Sequence, residues 1–107
     1  MVGAAKAWVN FNGTFGSSPF TIANGGIRAA FNVSSITDNG TGDYTVNFIT
    51  AMPDADYCAV ILAGSSTPTF AFLRQMHAGT TTTQRFLLTN STPTAIDVDN
   101  INVAIFR

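Results

Sequence analysis

The sequence predicts an all-β domain, an antiparallel β-sandwich or small barrel of about seven strands. Three observations lead to this fold class. Apolar and polar residues alternate with a period of two in several segments, which suits a half-buried strand and not a helix. Turn residues recur about every ten positions between these segments. The composition, with fifteen threonines, nine phenylalanines and nine glycines, favours strands joined by turns.

The charged residues support the same fold class. The 107-residue chain has six aspartates, no glutamate and a single lysine, so it lacks the residues that usually cover the exposed face of a helix. This length suits one domain, and we expect residues 1–107 to form a single sandwich. The start of the chain, MVGAAKAWVNF, lacks the profile of a signal peptide, and we expect the chain to be a fragment of a longer protein.

The clearest local prediction is a β-hairpin within residues 27–57. Residues 27–34 and 44–49 alternate strictly, and the intervening residues 38–43 contain Asn39-Gly40 and a second glycine. Glycine and asparagine adopt the positive φ angles that tight hairpin turns require. The residues expected to share a face are Ile27, Ala29, Phe31 and Val33 in the first arm, and Tyr44, Val46 and Phe48 in the second.

The remaining elements follow from the same reasoning. Before the hairpin, we predict a first strand at residues 5–12, with Trp8 on its polar face, and a long glycine- and serine-rich connection in which residues 20–23 form a short extended piece. After it, we predict strands at residues 57–63, 69–74, 83–89 and 95–106, the last one bulged at Asp99 and Asn100. Turns are expected at 51–56, 64–68 and 90–93, and a polar loop at 75–82.

Several of these strands are apolar on both faces. In residues 57–63, Ala59 and Ile61 face one way while Val60 and Leu62 face the other, and residues 69–74 and 83–89 show similar patterns. A two-layer sandwich buries one face of each sheet and exposes the other to water. We therefore expect the second apolar face to pack against identical subunits.

The sequence does not predict an enzyme. His77 is the only histidine and has no acidic neighbour in sequence, and the familiar hydrolase, phosphate-loop and zinc-protease motifs are missing. The pairs Asp54/Asp56 and Asp97/Asp99 resemble turn-forming aspartates more than glycosidase carboxylates, although their oxygens with Asn100 leave Ca²⁺ as an alternative. We expect no catalytic residue, no metal and no cofactor, and we expect the single cysteine, Cys58, to be a buried thiol.

Charge and hydropathy exclude two classes of partner. Five scattered basic residues and a net charge of −1 do not provide the positive face that nucleic acid requires. No apolar run approaches the ~20 residues of a membrane span. Loops rich in Asn, Thr, Ser and Gln with occasional aromatic rings suit sugar hydroxyls, and they equally suit turns that are simply soluble.

Two segments of the chain resemble a known family. AKAWVNFNGT and IRAAFNVSSITDNGTGDYTVNFITAMPDADY are similar to the C-terminal module of bacteriophage tail fibre proteins, and the final NVAIFR resembles the end of those chains. The resemblance is close over residues 6–57, loose beyond them, and not diagnostic over residues 58–97. The connection TFGSSPFTIANGG is longer than the short glycine turn associated with the family.

The resemblance implies the C-terminal, receptor-binding tip of a longer fibre chain. It implies a homotrimer that follows a fibre shaft in the virion and adheres, outside the host cell, to a surface glycan such as lipopolysaccharide or to an outer-membrane protein. The alternative is a structural virion protein, a capsid decoration or connector module, which binds protein and not sugar. A depolymerase is the least favoured interpretation because no carboxylate pair stands out.

The position of the shaft predicts which loops meet the receptor. If strands alternate in direction from an N-terminus at the shaft, turns 12–26, 51–56 and 75–82 gather at the distal end, while 38–43, 64–68 and 90–94 face the shaft. The residues then expected to border the receptor are Phe15, Phe20, Asp54, Asp56, Gln75, His77, Thr80, Thr81 and Thr82.

Overall fold

The structure, a computed structural model, describes residues 4–65 and 71–107, which form eight β-strands and no helix. The all-β prediction is confirmed. The strands are β1 (Ala5–Phe11), β2 (Ile27–Phe31), β3 (Val33–Gly40), β4 (Asp43–Phe48), β5 (Cys58–Gly64), β6 (Phe72–Met76), β7 (Thr83–Thr89) and β8 (Asn100–Phe106).

The strands form two four-stranded sheets. Sheet I has the order β2-β1-β8-β5, sheet II has the order β3-β4-β7-β6, and every pairing is antiparallel. The buried apolar side chains come from the facing surfaces of both sheets, as in a β-sandwich.

Aromatic rings fill the centre of the core. Tyr44 has no exposed surface, and its ring centroid lies 5.3 Å from that of Phe11 and 5.8 Å from that of Phe86. Phe20 adds a fourth ring to this cluster, 6.2 Å from Tyr44. Edge-on and tilted aromatic pairs at these separations stabilise a core beyond the simple burial of area.

The hairpin prediction is confirmed for β3 and β4. The strands pair from Val33 and Phe48 to the turn, where Gly40 pairs with Asp43. Gly40 and Gly42 have φ angles of 137° and 70°, which glycine adopts without steric cost. The alternation of the second arm is also correct, since Tyr44, Val46 and Phe48 are all buried.

The prediction for the first arm is wrong, because its residues belong to two strands in different sheets. A bulge in the β1–β2 pairing leaves Arg28 with no residue of β1 opposite it, and it reverses which side chains of β2 point to the core. The chain then turns at Asn32, whose φ is 56°, and crosses from sheet I to sheet II. Ile27 and Val33 are therefore buried, whereas Ala29 and Phe31 are exposed. This crossing explains why eight strands form where about seven were expected.

The bounds of the other strands differ from the predicted bounds by a few residues at most ends. The strand at residues 83–89 has the predicted bounds, and the first strand ends one residue early. The last strand begins at Asn100, because Ala95 makes only an isolated bridge to Thr89. Within residues 20–23 a single bridge, Phe20 to Ile36, forms. Residues 66–70, which cover part of the predicted turn 64–68 and of the predicted strand 69–74, lie outside the described residues.

The strand directions define two ends of the sandwich. Both ends of the described chain, near Ala4 and at Arg107, lie at one end together with Asn32 and the loops 49–57 and 77–82; we call this the terminal end. The loops 12–26, 41–42 and 90–99 lie at the opposite end, which we call the loop end. The expectation that turns 12–26, 51–56 and 75–82 share one end is wrong, because the crossing at Asn32 adds a reversal of direction.

Candidate interaction surfaces

The outer surface of sheet I carries a row of apolar side chains that cross all four strands. Trp8 pairs directly with Phe31 on one side and Ala104 on the other, and Ala104 pairs with Val60. Leu62 lies beside this row and is 68% exposed, while Phe31 is 53% exposed. We call this surface, made of Trp8, Phe31, Val60, Leu62 and Ala104, the apolar face. A shallow depression of about 280 Å³ lies between Trp8, Val60 and Leu62.

A polar network borders the apolar face on the side nearer the loop end. The Asn10 side-chain amide donates to Asn100 Oδ1 at 2.8 Å and to Asn102 Oδ1 at 2.6 Å. Arg28 donates to Asn10 Oδ1 at 3.3 Å and to the Asp99 carbonyl oxygen. We call Asn10, Asn100 and Asn102 the asparagine ladder. Because its amides bond to one another, the ladder is an ordered, uncharged surface.

The outer surface of sheet II is different in kind. Asn47 donates to the hydroxyl oxygens of Ser35 and Thr37, at 3.1 Å and 3.0 Å. Arg85 forms a two-pronged ion pair with Asp43, at 2.9 Å and 2.7 Å. This pair lowers the pKa of Asp43, chiefly through the hydrogen bonds from Arg85. A polar outer surface is typical of a sheet that faces water. The outer surfaces of the two sheets therefore suit different environments.

A buried tyrosine and an aspartate join the loops 12–26, 41–42 and 90–99 of the loop end. The Tyr44 hydroxyl lies 2.6 Å from Asp97 Oδ1 and 2.7 Å from the Gly13 carbonyl oxygen. Asp97 Oδ1 also accepts a hydrogen bond of 2.7 Å from the backbone N–H of Gly42. Burial, with the adjacent Asp97, raises the pKa of Tyr44 far above its usual range, so the hydroxyl remains a donor. The loops at this end are thus held in a fixed arrangement.

The terminal end is held by a second set of contacts. Arg107 makes a two-pronged ion pair with Asp54, at 2.8 Å and 2.6 Å, and fixes the end of β8 to the loop 49–57. Hydrogen bonds from Arg107, aided by the Asp56 backbone N–H, lower the pKa of Asp54 to about 2. The Met52 N–H donates to the Thr81 carbonyl oxygen at 2.7 Å, which joins the two loops of this end.

The structure separates the residues predicted to border a receptor. Phe15 lies in the loop 12–26, which starts from the loop end, and it is partly buried against the core. Phe20 has no exposed surface, so the expectation that it borders a receptor is wrong. The others lie at or near the terminal end, and of these Thr80, Thr81, Thr82, Asp56 and Gln75 are exposed, whereas Asp54 and His77 are half-buried.

The threonines at this end also have internal partners. Thr80 Oγ1 accepts from the backbone N–H of Thr83 at 2.9 Å and lies 2.8 Å from the Thr83 hydroxyl oxygen. The Tyr57 hydroxyl lies 2.9 Å from the carbonyl oxygens of both Thr80 and Thr83, which share its one proton, and burial raises the pKa of this hydroxyl. The hydrogen-bonding groups of Thr80 and Thr83 are therefore used within the fold.

Two further expectations are answered by the geometry. Cys58 is exposed on β5, so the prediction of a buried thiol is wrong. Asp54 and Asp97 lie in loops at opposite ends of the sandwich. Asp54 accepts from the Asp56 N–H within its turn and from Arg107, and Asp97 accepts from the Tyr44 hydroxyl.

Within residues 4–65 and 71–107, no three His, Cys, Asp or Glu side chains come together as a metal site would require. That same part of the chain contains no helix capable of spanning a bilayer.

The sequence pattern indicates part of the apolar face. Trp8 was placed on the polar face of the first strand with Asn10, and Val60 and Leu62 were placed on the second face of their strand. The sequence does not show the order of the strands, which brings β1, β8 and β5 side by side. Asn100 and Asn102 alternate at the start of the last strand, but only the pairing of β8 with β1 shows that they meet Asn10.

The comparisons with known proteins gave no relative for this chain: no family model, no curated protein and no solved structure matches it. The function therefore has to be argued from the surfaces themselves.

Proposed function

We propose that this chain is a binding module, the adhesive tip of a bacteriophage tail fibre, which assembles with identical subunits and attaches the virion to a host-surface glycan or outer-membrane protein. The observation that carries the proposal is the apolar face, since a sandwich that stayed monomeric would expose Trp8, Phe31 and Leu62 to water. The resemblance of residues 6–57 to tail fibre modules supports the same interpretation.

The position of the chain ends supports a particular orientation. Ala4 and Arg107 lie at the terminal end, so a shaft that precedes the module approaches from that side. The loop end then points away from the shaft, and the loops 12–26, 41–42 and 90–99 meet the receptor. This orientation replaces the one expected from the sequence, in which turn 38–43 faced the shaft.

The chemistry of the loop end suits a polar ligand. Its exposed side chains include Ser17, Thr41 and Thr92, which carry hydroxyl groups that can donate to and accept from sugar hydroxyls. The contact of Tyr44 with Asp97 and Gly13 fixes the loops beneath these side chains. A preformed site loses less conformational entropy on binding than a mobile one.

Binding to an array of bacterial lipopolysaccharides and capsular glycans, with outer-membrane vesicles as a second probe, tests the proposal. Labelled wild-type protein is expected to bind a subset of the glycans, or the vesicles if the receptor is a protein. Absence of binding to both probes contradicts the adhesion function and favours a structural virion protein.

Bulky substitutions distinguish the two ends. Ser17→Arg and Thr41→Arg, at the loop end, are expected to reduce binding at least tenfold, because each places a long cation where the ligand would lie. Ala55→Arg, an exposed substitution at the terminal end, is the matched control and should bind as the wild type does. Loss of binding for Ala55→Arg alone would instead place the receptor at the terminal end, near Gln75 and His77.

A further inference from the structure

We propose that copies of this chain pack around a rotation axis that runs parallel to the strands of sheet I, with the apolar faces turned towards the axis and β5 of one copy lying beside β2 of the next. The partner is a second copy of this chain. Both the chemistry of the apolar face and the state of the sheet edges lead to this arrangement.

The distribution of charge differs between the two sheets. Residues close to a rotation axis meet their own symmetry copies, so a charged side chain there would face a like charge. The five residues of the apolar face carry no charge, and the charged residues of sheet I, Lys6 and Arg28, lie towards its terminal end and its loop end. The outer surface of sheet II carries the ion pair of Asp43 and Arg85. The uncharged middle of sheet I therefore suits the axis, and the charged outer surface of sheet II suits the solvent.

The area of sheet I limits how much surface one face can bury. Four strands at ~4.8 Å spacing and seven residues at ~3.4 Å each give a sheet surface of about 450 Å² before side-chain relief is counted. A stable specific interface buries about 800 Å² on each partner. The apolar face covers only part of this surface, so an assembly that also uses the sides of the sandwich buries more area than a face-to-face pair.

The edge strands of the two sheets differ in how well they are protected from pairing with another chain. Edge strands are normally shortened, charged or covered, because their free backbone groups recruit other strands. Phe20 covers β3 with hydrogen bonds of 2.8 Å and 2.9 Å to Ile36, and β6 has five residues, one of them Arg74. The seven-residue β5 is uncharged and free of proline, and its alternate side chains continue the apolar face.

The strand directions allow β5 and β2 to pair. Viewed along sheet I, β5 lies at one edge and runs from the terminal end to the loop end, while β2 lies at the other edge and runs the opposite way. Rotation about an axis parallel to the strands preserves these directions and brings β5 against β2 of the next copy as an antiparallel pair. The Thr21 carbonyl oxygen covers the Ile27 N–H at 3.1 Å, which leaves the half of β2 around Phe31 for this contact.

The two sides of the sandwich also complement each other. Leu73 and Met76 point to the inner side of β6 and are 43% and 45% exposed on the β5–β6 side. Ile22, in the loop 12–26 beside β2 and β3, is 59% exposed on the opposite side. A ring of subunits brings these two different sides together, as a heterologous interface requires.

A twofold assembly in which β5 pairs with β5 would extend sheet I but leave Trp8 and Phe31 in water. A face-to-face pair would cover these side chains but leave the outer edge of β5 without a neighbouring strand. Only a ring about an axis parallel to the strands buries both. The order of the ring, three, rests on the proposed function; the packing of the faces and edges does not.

Sedimentation velocity at micromolar concentration tests the face. Leu62→Asp, on the apolar face, is expected to shift the assembled species to the 11.3 kDa monomer. Ser34→Asp, an exposed position of β3, adds the same charge on sheet II and should sediment as the wild type does. Equal sedimentation of both variants would overturn the assignment of the face.

Disulfide trapping tests the edge, and it does not depend on whether a charged variant folds. In a Cys58→Ser background, Phe31→Cys is combined with Val60→Cys or Leu62→Cys, and Phe31→Cys is also tested with the native Cys58. We expect at least one pair to form covalent rings of subunits on oxidation, while single cysteines do not cross-link. Failure of all three pairs, or cross-linking by a single β5 cysteine, overturns the arrangement. Glycan binding is measured separately, so failure of the assembly and failure of the adhesion function remain distinct.

Discussion

The Tyr44 hydroxyl lies 2.6 Å from the Asp97 carboxylate, and this contact links the strand after the hairpin turn to the loop that precedes the last strand. The same hydroxyl lies 2.7 Å from the carbonyl oxygen of Gly13, and the same carboxylate oxygen accepts from the Gly42 N–H. Tyr44 and Asp97 together thus connect the loops 12–26, 41–42 and 90–99, which are distant from one another in sequence.

Tyr44→Phe is expected to destabilise the fold by about 1–3 kcal/mol, because Asp97 and the Gly13 carbonyl lose the one hydroxyl donor that they share in a partly buried site. Urea unfolding monitored by circular dichroism measures the change. Tyr57→Phe, which removes a hydroxyl from a more exposed site, is the comparison and should cost less. A change below about 0.3 kcal/mol for Tyr44→Phe would show that water replaces these bonds at no cost.

Gly13→Ala is expected to cost about 1–3 kcal/mol, because over-packing a filled site forces its neighbours to move. A Cβ at residue 13 would lie 2.5 Å from the Val98 carbonyl oxygen and 2.6 Å from the Tyr44 hydroxyl. Gly16→Ala, in the same loop, is the matched control, since a Cβ there meets nothing within 4 Å. Thermal unfolding of both variants checks the prediction, and equal midpoints would contradict the packing described around Gly13.

Substitution of Asn32 separates two costs at the crossing between the sheets. Its side chain accepts from the Thr50 N–H at 2.7 Å and donates to the Lys6 carbonyl oxygen at 3.2 Å. Asn32→Gly should lose these bonds, about 1–2 kcal/mol in total, while Asn32→Ala should lose a further ~1 kcal/mol to the positive φ. Urea unfolding of both variants measures the two values, and an alanine variant as stable as the glycine variant would contradict the left-handed conformation at this residue.

The ion pair of Asp54 with Arg107 predicts a pH dependence. Because Arg107 lowers the pKa of Asp54 from 3.8 to about 2 in the folded chain, the carboxylate stabilises the fold at pH values above its unfolded pKa. This stabilisation should be lost as the pH falls from about 4 to about 2. The ¹³C carboxyl shift of Asp54 measures its pKa, and Arg107→Gln should return that pKa towards 3.8. An unchanged titration in Arg107→Gln would show that the ion pair does not form in solution.

The sequence allowed the hairpin of β3 and β4, the bounds of β7 and the second apolar face of β5 to be predicted, because each depends on local alternation and turn residues. The crossing at Asn32 could not be predicted, since an alternating pattern continues through Phe31, Asn32 and Val33. Asparagine tolerates a positive φ at small cost, so the turn needs no glycine as a signal. That single crossing reverses the later strands and moves the loops 49–57 and 77–82 to the terminal end.

The candidate surfaces were predictable to a similar extent. An apolar pattern on both faces of β5 indicates a missing partner but does not show which sheet contains β5 or what lies beside it. Phe20 is expected near a receptor because strand alternation puts its loop at the distal end, yet its ring fills the side of the core next to Phe11 and Tyr44. Burial by a long loop leaves no periodic signal in a sequence.

The central claim, that the apolar face joins copies of this chain, is tested most directly by sedimentation velocity of the wild-type protein at micromolar concentration. The proposed assembly predicts a species with about three times the 11.3 kDa mass of the chain, converted to monomer by Leu62→Asp and not by Ser34→Asp. A single 11.3 kDa species of wild-type protein would contradict the claim.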